Sequence, residues 1–337
     1  MKTGKQTWTF SNVYLQSVGT AVGPKEAEGP LGDCFDVTYD NLHCDEDNWE
    51  LAERKLLEDS ISNCLSKKGI AKEDVDIYVS GDLLNQIVSA TYSARTLQIP
   101  FLGVFGACST SMESLAVASS LVEGGFAKRA VAGVSSHNAT AERQFRYPTE
   151  YGGQKPGTAT STVTGAGAAL IGTDVTDIRI TSATVGRVVD WGVKDPFDMG
   201  SAMAPAAADT IATHFKDLNI QPEEYDLIVT GDLSAVGSPI VRDLLIEEGF
   251  DITNNHNDCG LMVYRPNQEE VFAGGSGCAC SAVVTYGHLV DLLKKGRYNK
   301  ILVVATGCLH SPVMVQQKES MPAIAHAVVL ERTGSDY

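Results

Sequence analysis

The chain has 337 residues, of which 43% are hydrophobic and 20% are charged, and its formal net charge at pH 7 is −16. This composition is typical of a globular protein with one or two domains and excludes an intrinsically disordered chain. The acidity, together with the lack of any Lys/Arg stripe, argues against a nucleic-acid-binding protein.

The cysteines and the first residues of the chain indicate in which cellular compartment the protein functions. A chain of this length with eight cysteines does not have the character of a small disulfide framework. The start, Met1 to Trp8, leads directly into a strand-like run without an apolar targeting core. Apolar runs such as 301–305 are far shorter than the roughly 20 residues that span a bilayer. We therefore expect a soluble protein with reduced thiols, associated with a membrane only peripherally and through a partner.

Two segments of the chain repeat one pattern. Residues 70–83 and 220–233 are identical at seven of fourteen aligned positions. In each copy an acidic turn leads into a β-branched strand that ends at Gly-Asp. We expect Gly81 and Gly231 to supply the permissive φ that a tight exit from a strand requires.

The elements around this repeat also come in pairs. The predicted outer helix, central helix and following strand lie at 48–69, 109–123 and 130–134 in the first half and at 205–218, 281–295 and 301–305 in the second. Strands that alternate with helices imply parallel sheets covered on both faces. We therefore predict an α/β fold with two similar halves, residues 1–174 and 175–337, stacked in five layers as α-β-α-β-α.

The residue that points most directly to chemistry is Cys108. It lies in Phe-Gly-Ala-Cys-Ser-Thr-Ser (105–111), where the apolar run 101–105 meets the first central helix. A thiol at this corner sits at the positive end of a helix dipole, which favours the thiolate. Backbone N–H groups at such a corner can also build an anion site. The position therefore suits either a nucleophile or one wall of an anion-binding pocket.

Several motifs resemble a known family. The internal duplication, the Gly-Ala-Cys-Ser corner and the closing strand Thr-Gly-Ala-Gly-Ala-Ala-Leu (164–170) are similar to the thiolase and ketoacyl-synthase superfamily. Four segments resemble, more specifically, the stage V sporulation protein AD family of endospore-forming bacteria: 141–165, 199–211, 256–262 and 271–284. The resemblance covers nearly the whole chain. It implies a thiolase fold and the binding of dipicolinic acid (pyridine-2,6-dicarboxylate) for its uptake into the developing spore.

The catalytic set of the condensing enzymes in this superfamily is missing from the second half. In those enzymes a His, paired with His or Asn, assists the Cys nucleophile, because a thiol needs such a base to attack a thioester. Here the strand 227–230 runs into Gly231-Asp232, and the Gly-rich turn before the last central helix reads Gly-Gly-Ser-Gly (274–277). Neither position holds a His. We therefore predict a non-enzymatic, degenerate thiolase-like protein that uses no cofactor.

One alternative stays open. Cys108, Cys308 and a histidine could retain acyltransferase or condensing chemistry on acyl-CoA thioesters. His137 and His310 follow matching strands of the two halves, at the strand ends where the sites of α/β proteins collect. His326, within an apolar strand, is expected to be a core residue.

The implied ligand site is a set of hydrogen-bond donors around Cys108. Backbone N–H groups at helix starts, supported by hydroxyls, can hold carboxylates without a buried arginine. The residues predicted to bind ligand are Cys108, Ser109, Gly231, Asp232, Ser234, Gly237, Gly275, Ser276, Gly277 and His137. Met199 to Pro205 is a further candidate wall.

A basic and aromatic loop, 143–156, is the second candidate region. Its Arg143 and Arg146 could steer an anion or cover the pocket. The alternative for this loop is a structural role at a subunit interface.

The resemblance also implies partners. These are dipicolinic acid or its calcium chelate, membrane-embedded sporulation channel proteins at the forespore or spore inner membrane, and a second copy of the chain in a homodimer. No nucleic acid is expected. No metal site is predicted either, because Cys278-Ala279-Cys280 and the segment 256–259 are not followed by the second ligand pair that a zinc site needs.

Overall fold

The computed structural model describes residues 1–145 and 154–334. Arg146 and most of the basic and aromatic loop therefore lie outside the described residues.

The strands are numbered in chain order. They are β1 (Lys2–Thr3), β2 (Thr7–Thr9), β3 (Tyr14–Val22), β4 (Val37–Thr38), β5 (Ile77–Gly81), β6 (Phe101–Gly103), β7 (Arg129–Ser136), β8 (Ser161–Thr162), β9 (Gly165–Gly172), β10 (Ile178–Val185), β11 (Leu227–Thr230), β12 (His256–Asp258), β13 (Gly275–Ser276), β14 (Lys300–Cys308) and β15 (Ala323–Arg332).

The α-helices follow the same numbering. They are α1 (Pro24–Ala27), α2 (Trp49–Lys68), α3 (Val88–Leu97), α4 (Thr110–Glu123), α5 (Asn138–Phe145), α6 (Met199–Leu218), α7 (Ser234–Glu247), α8 (Cys259–Met262), α9 (Cys278–Val284), α10 (Val290–Lys294) and α11 (Pro312–Gln316). A π-helical turn, Thr285–Leu289, joins α9 to α10.

Two groups of five strands share one order. The first group runs β6-β5-β7-β9-β3 and the second β12-β11-β14-β15-β10. In each group the strand next to the last, β9 or β15, is antiparallel to both neighbours, and the remaining pairs are parallel. The expectation of purely parallel sheets is therefore wrong. Between β14 and β15 the chain has only the short α11, so it reverses and pairs antiparallel instead of crossing over.

The helices form three layers around these strands. Helices α2 and α3 pack on the first group of strands, and α6, with α7 beside it, packs on the second. Helices α4 and α9 contact strands of both groups and thus form the central layer. The hydroxyls of Ser111 on α4 and Ser281 on α9 lie 2.6 Å apart, because small residues let the two helices approach closely. The predicted five-layer α-β-α-β-α fold is confirmed, whereas the division into domains at residue 174 stays a prediction.

Local signals at the helix ends explain where the predicted bounds agree and where they differ. The Asn48 side chain accepts the Leu51 N–H at 3.0 Å, and Gly69, with φ of 68°, ends α2 as expected. Helix α6 begins at Met199 and not near Pro205, because the Asp198 carboxylate caps its first turn. Helix α9 begins at residue 278, three positions before the predicted start.

Gly81 and Gly231 are required by close packing and not by an unusual φ. Neither has a positive φ, so the reason expected for these glycines is wrong. A Cβ on Gly81 would lie 2.1 Å from the Val104 carbonyl oxygen, and one on Gly231 would lie 3.0 Å from the Thr306 amide nitrogen. The strand ends therefore need glycine because the neighbouring backbone occupies the space of a side chain.

The repeated segments contain the same backbone latch. The Asp76 Oδ2 accepts the N–H groups of residues 128 and 129 at 2.7 and 2.9 Å. The Asp226 Oδ2, at the matching position of the second copy, accepts the N–H groups of residues 299 and 300 at 2.6 and 3.0 Å. Each carboxylate fixes the turn that enters the adjacent strand, β7 or β14. Both copies therefore have an aspartate at this position because its carboxylate accepts the same two backbone hydrogen bonds.

Asp226→Ala should lower the free energy of unfolding by about 1–3 kcal/mol, because two backbone donors lose their acceptor. Chemical denaturation measures this loss. Glu224→Ala, which removes a carboxylate from the same turn, is the matched control and should change stability by less than about 0.5 kcal/mol. Equal losses in the two variants would contradict the latch.

Candidate functional site

A small cavity adjoins Cys108. Its volume is about 40 Å³, which is room for about three water molecules. The described residues that line it are Leu83, Phe105, Ala107, Cys108, Ala141, Phe145, Thr162, Pro196, Met199, Ser276, Gly277, Cys308 and His310. No Lys, Arg, Asp or Glu is among these lining residues. The cavity wall is therefore mostly apolar, with a few hydroxyl, thiol and imidazole groups.

A wider groove of about 480 Å³ adjoins this cavity. The two share Leu83, Phe105, Phe145 and His310. Phe105 is 50% exposed, and the Phe145 ring packs against the His310 ring with centroids 5.5 Å apart. These rings line both spaces, so their positions control passage from the groove to the cavity.

The Cys108 thiol is protonated in this environment. It lies just before α4 and is only 7% exposed. Burial raises the pKa of Cys108 well above its usual range, and the carboxylate of Asp232, which accepts a hydrogen bond from the thiol, raises it further. The expectation that the helix dipole favours the thiolate is therefore wrong, because desolvation and a neighbouring carboxylate outweigh it.

Asp232 lies behind the cavity wall and is 1% exposed. Its Oδ2 accepts the Gly277 N–H at 3.0 Å, and its Oδ1 accepts the Thr306 hydroxyl at 2.5 Å. Burial raises the pKa of Asp232 to about 7, although the hydrogen bonds from Thr306, Cys108 and Gly277 oppose the rise. Gly277 precedes α9. The N–H group predicted to receive a ligand carboxylate at this helix start thus already holds an internal carboxylate.

Ser276 contributes an unpaired polar group to the described wall of the cavity. Its side chain is 1% exposed and lines the cavity, and its hydroxyl has no hydrogen-bond partner among the described residues. A buried polar group left in this state costs about 1–3 kcal/mol. A ligand acceptor at the Ser276 hydroxyl would therefore gain a hydrogen bond without displacing an existing one.

Ser109 and Ser234, two predicted ligand contacts, support the loops instead of lining the cavity. The Ser109 hydroxyl donates to the Gly106 carbonyl oxygen at 2.6 Å. The Ser234 hydroxyl donates to the Gly275 carbonyl oxygen at 2.8 Å. Gly275, a further predicted contact, is thus engaged with Ser234 and is also absent from the cavity wall.

Gly231 and Gly237 are likewise absent from the described cavity wall. The Gly231 N–H donates to the Val304 carbonyl oxygen at 2.9 Å within the sheet. A Cβ on Gly237 would lie 2.7 Å from the Gly200 carbonyl oxygen, so this glycine allows α7 to approach α6. That these two residues contact a ligand remains a prediction. Their observed contacts are with neighbouring parts of the backbone.

Asp258 organises the loop that carries Asp232. Its carboxylate accepts the N–H groups of Leu233, Ser234 and Gly260, each at 2.9 Å, and the Thr230 hydroxyl at 2.6 Å. Burial raises the pKa of Asp258, and these hydrogen bonds oppose the rise. This carboxylate stabilises the backbone of Ser234, whose φ is 53°.

His137 lies away from the cavity wall. Its Nε2–H donates to the Leu42 carbonyl oxygen at 2.7 Å, and its Nδ1 accepts the Ala139 N–H at 3.1 Å. Burial lowers the pKa of His137 to about 4, so the ring is neutral. Both ring nitrogens are engaged with backbone, which indicates a structural role.

Arg143 also lies outside the Cys108 cavity, although Phe145 on the same helix lines it. Arg143 forms an ion pair with Glu50 and stacks on the Trp49 ring at 5.6 Å from its centroid. It lines a separate cavity of about 460 Å³. Arg146, the other predicted steering residue, lies outside the described residues.

Cys308 and His310 are two of the lining residues that the predicted ligand set lacks. Both line the cavity with Cys108, although the sequence connects them only with the enzymatic alternative. Burial raises the pKa of Cys308 to about 12, and the negative charge of Asp232 contributes to this rise. Their position at the carboxyl end of β14 is the sequence feature that points to a site. His137 has a similar position at the end of β7, so this feature alone does not identify the lining residues. Met199, in the weaker candidate wall, also lines the cavity.

Among residues 1–145 and 154–334, no three His, Cys, Asp or Glu side chains are grouped so as to hold a metal ion. Within the same part of the chain, no helix has both the length and the apolar character needed to cross a bilayer.

Comparisons with known proteins agree on family and fold. The family model of stage V sporulation protein AD matches residues 4–331. The chain is 65% identical over 333 residues to stage V sporulation protein AD of Bacillus subtilis (strain 168), covering 98% of each chain.

Several solved structures of low sequence identity share this fold. Crystal structures of a variant of Xanthomonas campestris OleA (TM-score 0.64, 15% identity) and human mitochondrial 3-ketoacyl-CoA thiolase in complex with CoA (0.59, 15%) each match 95% of this chain, and 97% and 98% of their own. The 3-oxoacyl-[acyl-carrier-protein] synthase III of Aquifex aeolicus VF5 matches with a TM-score of 0.56 and 13% identity, over 95% of this chain and 99% of its own. The chain belongs to the stage V sporulation protein AD family, a family of sporulation proteins, and has a divergent thiolase fold.

Proposed function

We propose that the chain binds dipicolinic acid at the Cys108 cavity, without catalysing a reaction, for the uptake of this ligand into the developing spore. The ligand class comes from the family resemblance. The observation that carries the choice of site is the buried Ser276 hydroxyl, which has no partner among the described residues and lines a cavity beside the protonated Cys108 thiol. A ligand carboxylate there accepts a hydrogen bond from the Ser276 hydroxyl, a donor that is otherwise unused.

The groove and the cavity suggest how the ligand is accommodated. A pyridine ring is too large for a cavity of about 40 Å³, so the ring lies in the adjoining groove of about 480 Å³. One carboxylate enters the cavity towards Ser276, while the ring packs against Phe105 and Phe145, as aromatic pairs do.

The environment of Cys108 argues against covalent catalysis. The attacking species in acyl transfer is the thiolate, and a nearby base usually generates it. Burial and the Asp232 carboxylate both favour the thiol. A second negative charge on Cys108 would lie beside that carboxylate. We therefore propose that the thiol serves as a hydrogen-bonding wall of the cavity.

A second candidate function is acyl transfer from an acyl-CoA. The observation in its favour is that Cys308 and His310 line the same cavity as Cys108. In this mechanism His310 would remove the Cys108 proton before the thiol attacks the thioester. The raised pKa values of both thiols oppose it.

The expected partners are part of the proposal. We propose that the protein acts with membrane-embedded sporulation channel proteins and as a homodimer, and that the ligand arrives either free or as its calcium chelate. Among the described strands, β6 pairs only with β5, and Leu102 on it is 42% exposed. Such an open edge is a surface on which a second copy could pair.

Isothermal calorimetry tests the ligand and the site together. Wild-type protein should bind dipicolinate, and Ser276→Ala should weaken the affinity about tenfold, because a charge-assisted hydrogen bond to the carboxylate is lost. Ser276→Leu should abolish binding by filling the cavity.

The matched control for this experiment is Ser238→Ala. The Ser238 hydroxyl is also buried and without a partner among the described residues, but it does not line the cavity. This variant should bind like the wild type. Absence of binding at millimolar dipicolinate, or equal loss in Ser238→Ala, would rule out the proposed site.

Intact-mass spectrometry separates binding from acyl transfer. After incubation with short acyl-CoAs, the wild-type protein should show no stable adduct, because Cys108 is held as a thiol. Cys108→Ala and His310→Ala are the comparison variants. An acyl adduct that forms with turnover and disappears in Cys108→Ala would establish the enzymatic alternative.

A further inference from the structure

We propose that ligand binding at the Cys108 cavity is coupled to protonation of Asp232, so that the cavity accepts a carboxylate when Asp232 carries a proton. This inference rests on the proposed function, since it concerns the same cavity and a carboxylate ligand. It adds a dependence on pH that the proposed function does not contain.

Asp232 lies directly behind two residues that line the cavity. Two of its three hydrogen-bond donors, Cys108 and Gly277, belong to residues that line the cavity, and the third is Thr306. The residue before Gly277 is Ser276, whose unpaired hydroxyl is the proposed carboxylate donor. A ligand carboxylate at Ser276 is therefore separated from the Asp232 carboxylate only by a thiol and a peptide group.

Two carboxylates at such a short separation repel each other strongly when both are ionised and buried. Among the described residues that line the cavity, there is no Lys or Arg that could compensate for the charge. Protonation of Asp232 removes the repulsion. It also frees the Gly277 N–H and the Cys108 thiol from an anionic acceptor, so that both become stronger donors towards the cavity.

The other ionisable groups that interact with Asp232 are five thiols and one carboxyl group. They are the thiols of Cys108, Cys259, Cys278, Cys280 and Cys308 and the carboxyl group of Asp258. Burial raises the pKa of every one of these thiols, that of Cys308 to about 12. Asp258 accepts four hydrogen bonds that favour its ionised form. The pKa of Asp232, at about 7, lies near neutral pH.

The direction of the effect follows from linkage. The bound ligand raises the pKa of Asp232 above its value of about 7 in the free protein, so binding takes up a proton and weakens as pH rises through that value. The ligand carboxylates have ordinary pKa values of about 4 and stay ionised between pH 6 and 8. Since about nine-tenths of Asp232 is protonated at pH 6 and about one-tenth at pH 8, the affinity should fall about tenfold over this interval.

Calorimetry with dipicolinate as the probe, at pH 6, 7 and 8 and in two buffers of different protonation enthalpy, measures both the affinity and the protons taken up. The wild type should lose about tenfold in affinity from pH 6 to 8 and take up about half a proton at pH 7. Asp232→Asn keeps an acceptor for the Gly277 N–H without the charge. Its affinity should depend on pH much less than that of the wild type.

Glu26→Gln is the matched control. Glu26 is a buried carboxyl group whose pKa burial raises to about 6, and it accepts hydrogen bonds from the Tyr264 hydroxyl and the Thr164 N–H. None of these three residues lines the cavity. This variant should keep the pH profile of the wild type.

Each outcome decides a separate point. Absence of dipicolinate binding at every pH overturns the proposed function and the proton linkage together. Binding without proton uptake, or an unchanged pH profile in Asp232→Asn, overturns the linkage alone. If Asp232→Asn does not fold, as shown by its thermal melt, the proton uptake of the wild type still decides, and a value of zero overturns the inference.

Discussion

The architecture of the site depends on the buried carboxylate of Asp232 and its three donors. Gly277 comes from the start of α9, Thr306 from β14 and Cys108 from the corner before α4, so one carboxylate connects both central helices to the second sheet. Charge-assisted hydrogen bonds of this kind hold geometry strongly in a dry interior. The same contacts keep Cys108 protonated and use the N–H at the start of α9. The internal carboxylate thus determines what remains for a ligand, which is the Ser276 hydroxyl.

The duplicated design of the chain makes this arrangement possible. Asp82 occupies the position of Asp232 in the first copy of the repeat, and it accepts the N–H groups of Leu84 and Ala90 instead. The first aspartate therefore fixes the backbone before and within α3, whereas the second lies behind the cavity. One pattern in the sequence supports two different tasks, because the elements that surround the two copies differ.

Much of the fold could be predicted from local signals, and much of the site could not. The repeated segments, the Asn48 cap and the small residues of α4 are local, and they predict the five layers correctly. The protonation state of Cys108 depends on burial and on Asp232, which is more than a hundred positions away in the chain. His137 and His310 both follow matching strands, β7 and β14, but His310 lines the cavity, whereas the Nε2–H of His137 donates to the distant Leu42 carbonyl oxygen. Long-range hydrogen bonds of this kind leave no periodic pattern.

The central claim is that a member of a sporulation family uses a divergent thiolase site to hold a dicarboxylate without forming a covalent bond. The most direct measurement is a crystal structure of the protein with dipicolinate. The account predicts a carboxylate oxygen within hydrogen-bond distance of the Ser276 hydroxyl, the pyridine ring between Phe105 and Phe145, and an unmodified Cys108. Ligand bound elsewhere with this cavity unchanged, or a covalent adduct on Cys108, would contradict it.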